Sequence, residues 1–300
     1  MNRLLSKLFY YESWAIAWRV TDDPDYPADP GPVSYTVMPT DRNHWAADPF
    51  LISHNGKTWL FFEYMPLHSN SASVACCELT EKGPGPVSVV LRTKGHLSYP
   101  AVFQTGDSFC MIPETLDTGA VSLYRADPFP THWEKVCDLL SPFDSVDSTP
   151  FTRDGKLLLF LYDPDEPDHR LRKLYAADLS VQPPVLSGVR LLSEYPEKTG
   201  RPAGTPFVLP NGTSVRPTQD CRILYGGSIR YLSFTEDGGA FKEEETGTLS
   251  PSSVESDLPY KVLGIHTVNR CGQFEAVDLF YRRFSLLKPL KALIRRLNRK

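Results

Sequence analysis

The stretch "HWAADPFLISHNGKTWLFFEY", residues 44 to 64, sets an aspartate and a proline at the mouth of an apolar run, then a turn, then a second apolar run ending in an acid. Asn-Gly between two runs rich in aromatic and β-branched residues is a hairpin signal, because glycine supplies positive φ without steric cost. The same grammar returns in "SYPAVFQTGDSFCMIPET" (98–115), "STPFTRDGKLLLFLYDP" (148–164) and "GTPFVLPNGTSVRPTQD" (204–220). Pro49, Pro100, Pro150 and Pro206 are 51, 50 and 56 residues apart. A weaker copy without the proline, "LGIHTVNRCGQFEAVDLFY", covers 263–281.

A unit of about 50 residues that supplies three or four antiparallel strands cannot bury both of its faces alone, and radial stacking solves that problem. Five units in 300 residues predict an all-β, five-bladed β-propeller. A third strand is expected in "ASVACCEL", "AVSLYRAD", "KLYAADLS" and "RILYGGSIRYLSF". The N-terminal "SWAIAWRV" (13–20) precedes the first unit and is expected to complete the last blade, so that N- and C-terminal strands close the ring. The domain reading is an N-terminal segment 1–12, a propeller 13–281 and a basic tail 282–300. The competing fold is a two-sheet sandwich with coincident Pro and Gly spacing.

Composition narrows the function classes. A net charge of -4 gives no general attraction to nucleic acid, and no nucleic-acid partner is expected. The six cysteines have no C-x-x-C pairing, which fits free thiols and a cytoplasmic location better than a zinc site or disulfide framework. Ser6, Lys7, Glu12 and Ser13 interrupt the first apolar stretch, so neither a signal peptide nor a membrane span is expected there. The tail "RRFSLLKPLKALIRRLNRK" (282–300) carries eight Lys or Arg and no acid, with leucines at helical spacing. It reads as a short basic amphipathic helix, either packed on the domain or lying peripherally on an anionic membrane surface.

In a propeller the first strand of each blade lines the central channel, so residues just before the Pro-apolar step converge on one funnel. Asp48 starts that strand in blade one, with Tyr99, Thr149 (Asp147 two earlier), Thr205 (Arg201 four earlier) and His266 at corresponding places. The second strands end in Glu63, Glu114, Asp163, Gln219 with Asp220, and Asp278. Several carboxyls in one cleft, one ionised and one kept protonated, are what glycosidic bond chemistry requires. Asp48, Glu114 and Asp147 form the candidate catalytic set. Asp48 can equally cap a turn, Glu114 can pair with Arg201 or Arg216, and Asp147 can serve a turn with Asp144. Trp45, His96, Tyr99, Arg201, Arg216, Gln219, Asp220 and His266 are the candidate substrate-binding residues, aromatics for sugar faces and arginines for anionic or polar groups. No cofactor is expected. A channel metal near His266 ranks below the reading of His44, His96 and His266 as satisfied rim or core residues.

Taken together, "WAADPF", "HLSYPAVF", "MIPE", "SLYRADPFPTHWEKV", "GRPAG", "VRPTQDC" and "YGGSI" resemble the N-terminal propeller domain of glucosamine inositolphosphorylceramide transferases and its stand-alone bacterial relatives, in order from about Trp14 to Tyr281. That family resembles in turn the five-bladed propellers of arabinanases, xylosidases and levansucrases. There a first-blade inner-strand Asp is base or nucleophile and a Glu is the acid. The resemblance implies that Asp48 is the first-blade Asp, with Glu114 and Asp147 matching by approximate position, while Tyr99 departs from the aspartate of blade two. It implies a carbohydrate-active propeller that forms or cleaves a glycosidic bond in a glycan or glycolipid. The alternative is a non-catalytic glycan-binding scaffold serving a partner glycosyltransferase.

Overall fold

The computed structural model describes residues 9–22, 32–41, 43–67, 69–115, 118–164, 171–237, 240–286 and 288–289. It forms five sheets arranged as the blades of a propeller, as the repeat predicts; their strands pair antiparallel except for Val33–Val37 with Val254–Ser256, which are parallel. Blade one runs from His44–His54 to Ser88–Leu91, and blade two from Ser98–Thr105 to Trp133–Leu140. Blade three runs from Val146–Arg153 to Pro184–Tyr195, and blade four from Arg201–Pro202 to Ala240–Leu249. The fifth sheet is built from both ends of the chain.

The hairpins follow the glycine signals. Asn55 and Gly56 (φ 51° and 73°) join His54 to its partner Lys57, and Asp154 and Gly155 (φ 50° and 74°) repeat the turn in blade three. Positive φ at both central residues gives the twist that suits adjacent strands. The second strands, "WLFF", "FCMI" and "LLLFL", read as continuous apolar runs because both of their faces are buried. Side chains alternate between neighbours: Phe61 packs toward blade two with Phe50, Tyr99 and Phe109, whereas Leu60 and Phe62 pack toward blade five with Ile16, Trp18 and Met38. Ile112 and Leu161 meet between blades two and three, and Phe160 meets Phe234 between three and four.

Ring closure is an eleven-residue pairing of Tyr10–Val20 with Phe274–Phe284, registered from Tyr10 opposite Phe284 to Val20 opposite Phe274. The propeller thus extends beyond both sequence-drawn boundaries, 13 and 281. Arg282 belongs to this strand rather than to a helical tail, because it pairs with Glu12 in the ladder and as an ion pair at 2.8 Å. The expected basic C-terminal helix is not shown: Arg282–Phe284 are strand, and residues 287 and 290–300 lie outside the described residues. Among the described residues no helix is long and apolar enough to cross a membrane. All six cysteines are free.

Ile16 is fully buried in the closing strand, between the first and last blades. Replacing it with alanine leaves a cavity at the seam, and Ile16→Ala should lower unfolding free energy by about 2–5 kcal/mol in denaturant titration. A loss under about 1 kcal/mol would mean that the closing strand does not hold the ring.

Candidate functional site

Three inner strands open with a bulge. The ladder slips between Ala47 and Phe50, between Ser98 and Ala101, and between Val146 and Thr149. At each slip one non-glycine residue adopts positive φ: Asp48 (53°), Tyr99 (43°) and Asp147 (50°). Such a backbone costs roughly 1–3 kcal/mol unless its surroundings enforce it. Here each bulge N–H donates to a carboxylate of the preceding blade: Asp48 N to Asp278 Oδ2 (3.0 Å), Tyr99 N to Asp48 Oδ2 (3.0 Å) and Asp147 N to Glu114 Oε2 (2.9 Å). The bulges also correct the alignment read from the prolines. Asp147, and not Thr149, is the blade-three counterpart of Asp48, because Ser148 follows it where Pro49 and Pro100 follow the others.

Asp48, Glu114 and Asp147 are buried in one polar cluster with Glu63 and Asp278. Asp48 Oδ1 accepts from Thr267 Oγ1 (2.9 Å) and faces His266 Nε2 (3.5 Å). His266 Nδ1 lies 2.5 Å from Asp278 Oδ2, and Asp278 Oδ1 accepts the N–H groups of His266 (2.9 Å) and Thr267 (3.0 Å). Across the cluster Arg201 grips Asp147 through Nε to Oδ2 (2.5 Å) and Nη2 to Oδ1 (3.2 Å), and reaches Glu114 Oε2 (3.4 Å). Gln219 Nε2 donates to Asp147 Oδ2 (2.8 Å). The Tyr99 hydroxyl joins Thr149 Oγ1 (2.9 Å) and accepts from Gly204 N (2.8 Å), linking blades two, three and four.

Burial, reinforced by the charge of Asp147, pushes the Glu114 carboxyl up to about 8 against the opposing pull of Arg201. Burial and then the neighbouring Asp48, Glu114 and Asp278 carboxylates hold Glu63 well above the usual range. Burial also raises Asp48, with His266 opposing. Burial disfavours the His266 imidazolium, but Asp278 and Asp48 outweigh it and raise the ring to about 9. Asp48, His266 and Asp278 bring ligand-type atoms within 4.8 Å of one another. Asp278 Oδ1 already serves two backbone donors, and Asp48 Oδ1 accepts from Thr267 Oγ1. The 2.5 Å contact between His266 Nδ1 and Asp278 Oδ2 suits a charged imidazole held between two carboxylates.

Other expected residues fall elsewhere. Trp45 is half-buried against the Trp14 and Phe280 cluster. His96 stands at the rim, Nε2 3.3 Å from Glu63 Oε1. Arg216 is not in the cluster: it ion-pairs with Glu243 and donates to Tyr195 Oη (2.5 Å) and Gly200 O (2.9 Å). Three residues before Gln219 on one strand, it points to the other face. Asp220 also turns away, gripping Arg222 at 2.6 Å beside a cavity of 590 Å³ lined by Ile223, Leu224 and Leu263. His44 pairs with exposed Asp41 at 2.7 Å. In blade three the strand partner of Val146 is Tyr162, so Asp163 is not the counterpart of Glu63 and Glu114.

Reading the sequence left Glu63 and Asp278 as mere strand ends and missed Tyr225. Half-exposed, Tyr225 lies under the Arg201 guanidinium (5.5 Å) and edge-on to His266 (5.5 Å), whose other face stacks on Trp14 at 3.9 Å. The available signal was "YGGSI": a Cβ on Gly226 (φ 60°) would stand 2.8 Å from both His266 Cβ and the Trp14 ring. The loop packs that closely against blade five only because glycine is there.

The five-bladed ring is a fold shared with glycoside hydrolase propellers. An α-L-arabinofuranosidase from Podospora anserina superposes with a TM-score of 0.58 at 13% identity, over 86% of this chain and 98% of that one. A family 117 glycoside hydrolase from Zobellia galactanivorans does so at 0.54 and 12%, over 93% and 92%. The chain belongs to the family described as glucosamine inositolphosphorylceramide transferase 1, N-terminal, which matches residues 32–247. Glucosamine inositolphosphorylceramide transferase 1 of Arabidopsis thaliana is 30% identical over 204 residues, 63% of this chain and 25% of that protein. The enzyme of the same name from Oryza sativa subsp. indica is 27% identical over 211 residues, 66% and 28%. The chain therefore spans about a quarter of the length of these relatives.

The raised acids set a pH dependence. Glu114 has an ordinary value of 4.5 when unfolded and about 8 when folded, so between these the native state holds the extra proton. Its contribution is fully present below about pH 4.5 and lost as pH rises through about 8. His266 has the same sign, present below 6.5 and lost through about 9. Thermal midpoints should therefore fall from about pH 5 to pH 9, and Glu114→Gln should flatten the portion below 8. Parallel wild-type and variant curves would contradict a protonated Glu114.

Proposed function

We propose that the chain is a carbohydrate-active propeller that forms or cleaves a glycosidic bond in a glycan or glycolipid, within surface polysaccharide or glycolipid metabolism. One observation carries this reading: four blades bring five carboxyls into one buried patch, where Glu114, raised to about 8, sits beside an Arg201-bound Asp147. A carboxyl that keeps its proton near neutrality is suited to protonating a leaving oxygen. In this proposal Glu114 is the acid, Asp48 the base or nucleophile, and Asp147 an orienting carboxylate fixed by Arg201 and Gln219. Tyr225, absent from the sequence-based set, offers a ring for a sugar face beside His266 and Arg201. Half-buried Trp45 and His96 are the other proposed contacts, while Tyr99 is fully buried and supports the site from within. The cytoplasmic location and contact of the basic tail with an anionic membrane belong to the same proposal.

A second reading is favoured by a specific observation. Both Asp48 oxygens already accept hydrogen bonds, from Thr267 Oγ1 and Tyr99 N, and Arg201 engages both oxygens of Asp147. Carboxylates so occupied suit a glycan-binding scaffold that presents a substrate to a partner glycosyltransferase. The named transferases contain about three times as much chain again beyond the part matched here.

Wild type, Asp48→Asn and Glu114→Gln incubated with a panel of glycans, glycolipids and sugar donors separate the two by mass spectrometry. On the catalytic reading wild type yields a cleaved or extended product and each variant loses about 10²–10⁴-fold in rate. Equal glycan binding by all three with no product would leave the scaffold.

A further inference from the structure

Arg216, a candidate for the substrate by sequence, is 2% exposed and fully engaged outside the carboxyl cluster. Its Nε ion-pairs with Glu243, its Nη2 donates to Tyr195 Oη (2.5 Å) and its Nη1 donates to Gly200 O (2.9 Å). Tyr195 Oη donates in turn to Glu243 Oε2 (2.5 Å), so blades three and four are joined through one polar chain. Gly200 immediately precedes Arg201. One residue earlier, Thr199 O accepts from the hydroxyl of buried Tyr162 (2.8 Å), on the second strand of blade three. Pairing with Ser214–Asp220 begins only at Arg201, opposite Gln219, so side chains hold the two carbonyls ahead of it. A buried carbonyl needs such a donor. Gly200 has φ 80°, and a Cβ there would stand 2.5 Å from the Tyr195 ring: the ring that Arg216 holds packs directly on this turn.

We infer that Arg216, together with Tyr162, is a positioning residue for Arg201: the two donors fix the Thr199–Gly200 backbone and so set where the Arg201 guanidinium meets Asp147 and Glu114. From that backbone Arg201 reaches both Asp147 oxygens and, at 3.4 Å, Glu114 Oε2. On the following side Gln219 Nε2 donates to Pro202 O (2.9 Å) as well as to Asp147 Oδ2 (2.8 Å), so Arg201 is held from both directions along the chain. Arginine suits the task because its planar fork serves Glu243, Tyr195 and Gly200 at once, which a lysine ammonium on a single stem does not. Arg216 itself touches none of the clustered carboxyls and performs no bond-making step. Its part in turnover rests on the proposed function, whereas its hold on Arg201 does not.

The test on the full chain needs no substrate. In ¹⁵N NMR the Arg201 Nε–H, identified by its loss in Arg201→Lys, should exchange slowly with water. Arg216→Lys should speed that exchange by about tenfold, as the loss of one buried hydrogen bond would. It should also move the Glu114 titration upward from about 8, since a loosened Arg201 opposes the rise less. Tyr162→Phe keeps the buried ring, removes only the bond to Thr199 O, and should act in the same direction on both readouts. Ile16→Ala, at the seam of the first and last blades, weakens the fold without touching this turn and should leave both at wild-type values. Both readouts unchanged in a folded Arg216→Lys, or moved as far by Ile16→Ala, would overturn the inference whatever the glycan assay finds. If Arg216→Lys does not fold by near-ultraviolet circular dichroism, Tyr162→Phe decides, and wild-type behaviour there overturns it. Where the glycan assay yields a product, Arg216→Lys should lower kcat by up to about 10²-fold and change KM less. An unchanged kcat would remove the role in turnover.

Discussion

The centre of this propeller depends on one repeated bond, from the N–H of a bulged, positive-φ residue to a carboxylate of the preceding blade. The bulge would be strained without that acceptor, and the carboxylate would be costly to bury without that donor. Each makes the other tolerable. The consequence is a buried cluster of acids whose positions are fixed largely by backbone donors. Where the backbone donors do not suffice, Arg201 binds Asp147 and His266 bridges Asp48 and Asp278.

This construction concentrates more acid than the local cations can neutralise. Five carboxyls face Arg201 and His266 in a site largely removed from water, and the field resolves the excess by protonation: Glu63 and Glu114 are pushed up while His266 is held charged. Carboxyls of one chemical type thus acquire different protonation states through placement alone. A packing device and a proton-holding device share the same atoms. The rim differs in character, with half-exposed Tyr225 under Arg201, on a loop whose Gly226 leaves no room for a Cβ against His266 and Trp14.

Family membership and site geometry bear on different questions. Matches at 12% and 13% identity to arabinofuranosidase and family 117 hydrolase structures concern architecture alone. The transferase relatives share about a quarter of their length with this chain. What this chain's own atoms add is the division of labour at the inner strands. Tyr99, at the bulge position that aspartates occupy in blades one and three, exchanges a carboxylate for a hydroxyl tied to Thr149 and Gly204.

The sequence by itself determined the number of blades, the hairpin turns and the closing strand, because these follow from short-range signals. Glycine turns, alternating or continuous apolar runs and a period near 50 residues each act within one blade or through its copies. It also brought Asp48, Glu114, Asp147, Arg201, Gln219 and His266 forward, since all stand at or near the strand ends that the repeat picks out. Tertiary structure decided which of the strand-end groups share one patch and what state they hold. The bulge moved the blade-three counterpart from Thr149 to Asp147, and strand parity sent Arg216 to Glu243. The exchange of one N–H from Glu63 to Asp48 separated two glutamates that look alike in the repeat. A one-residue slip in a ladder and the burial of a charge by four other blades are relations between distant segments, and no local pattern encodes them.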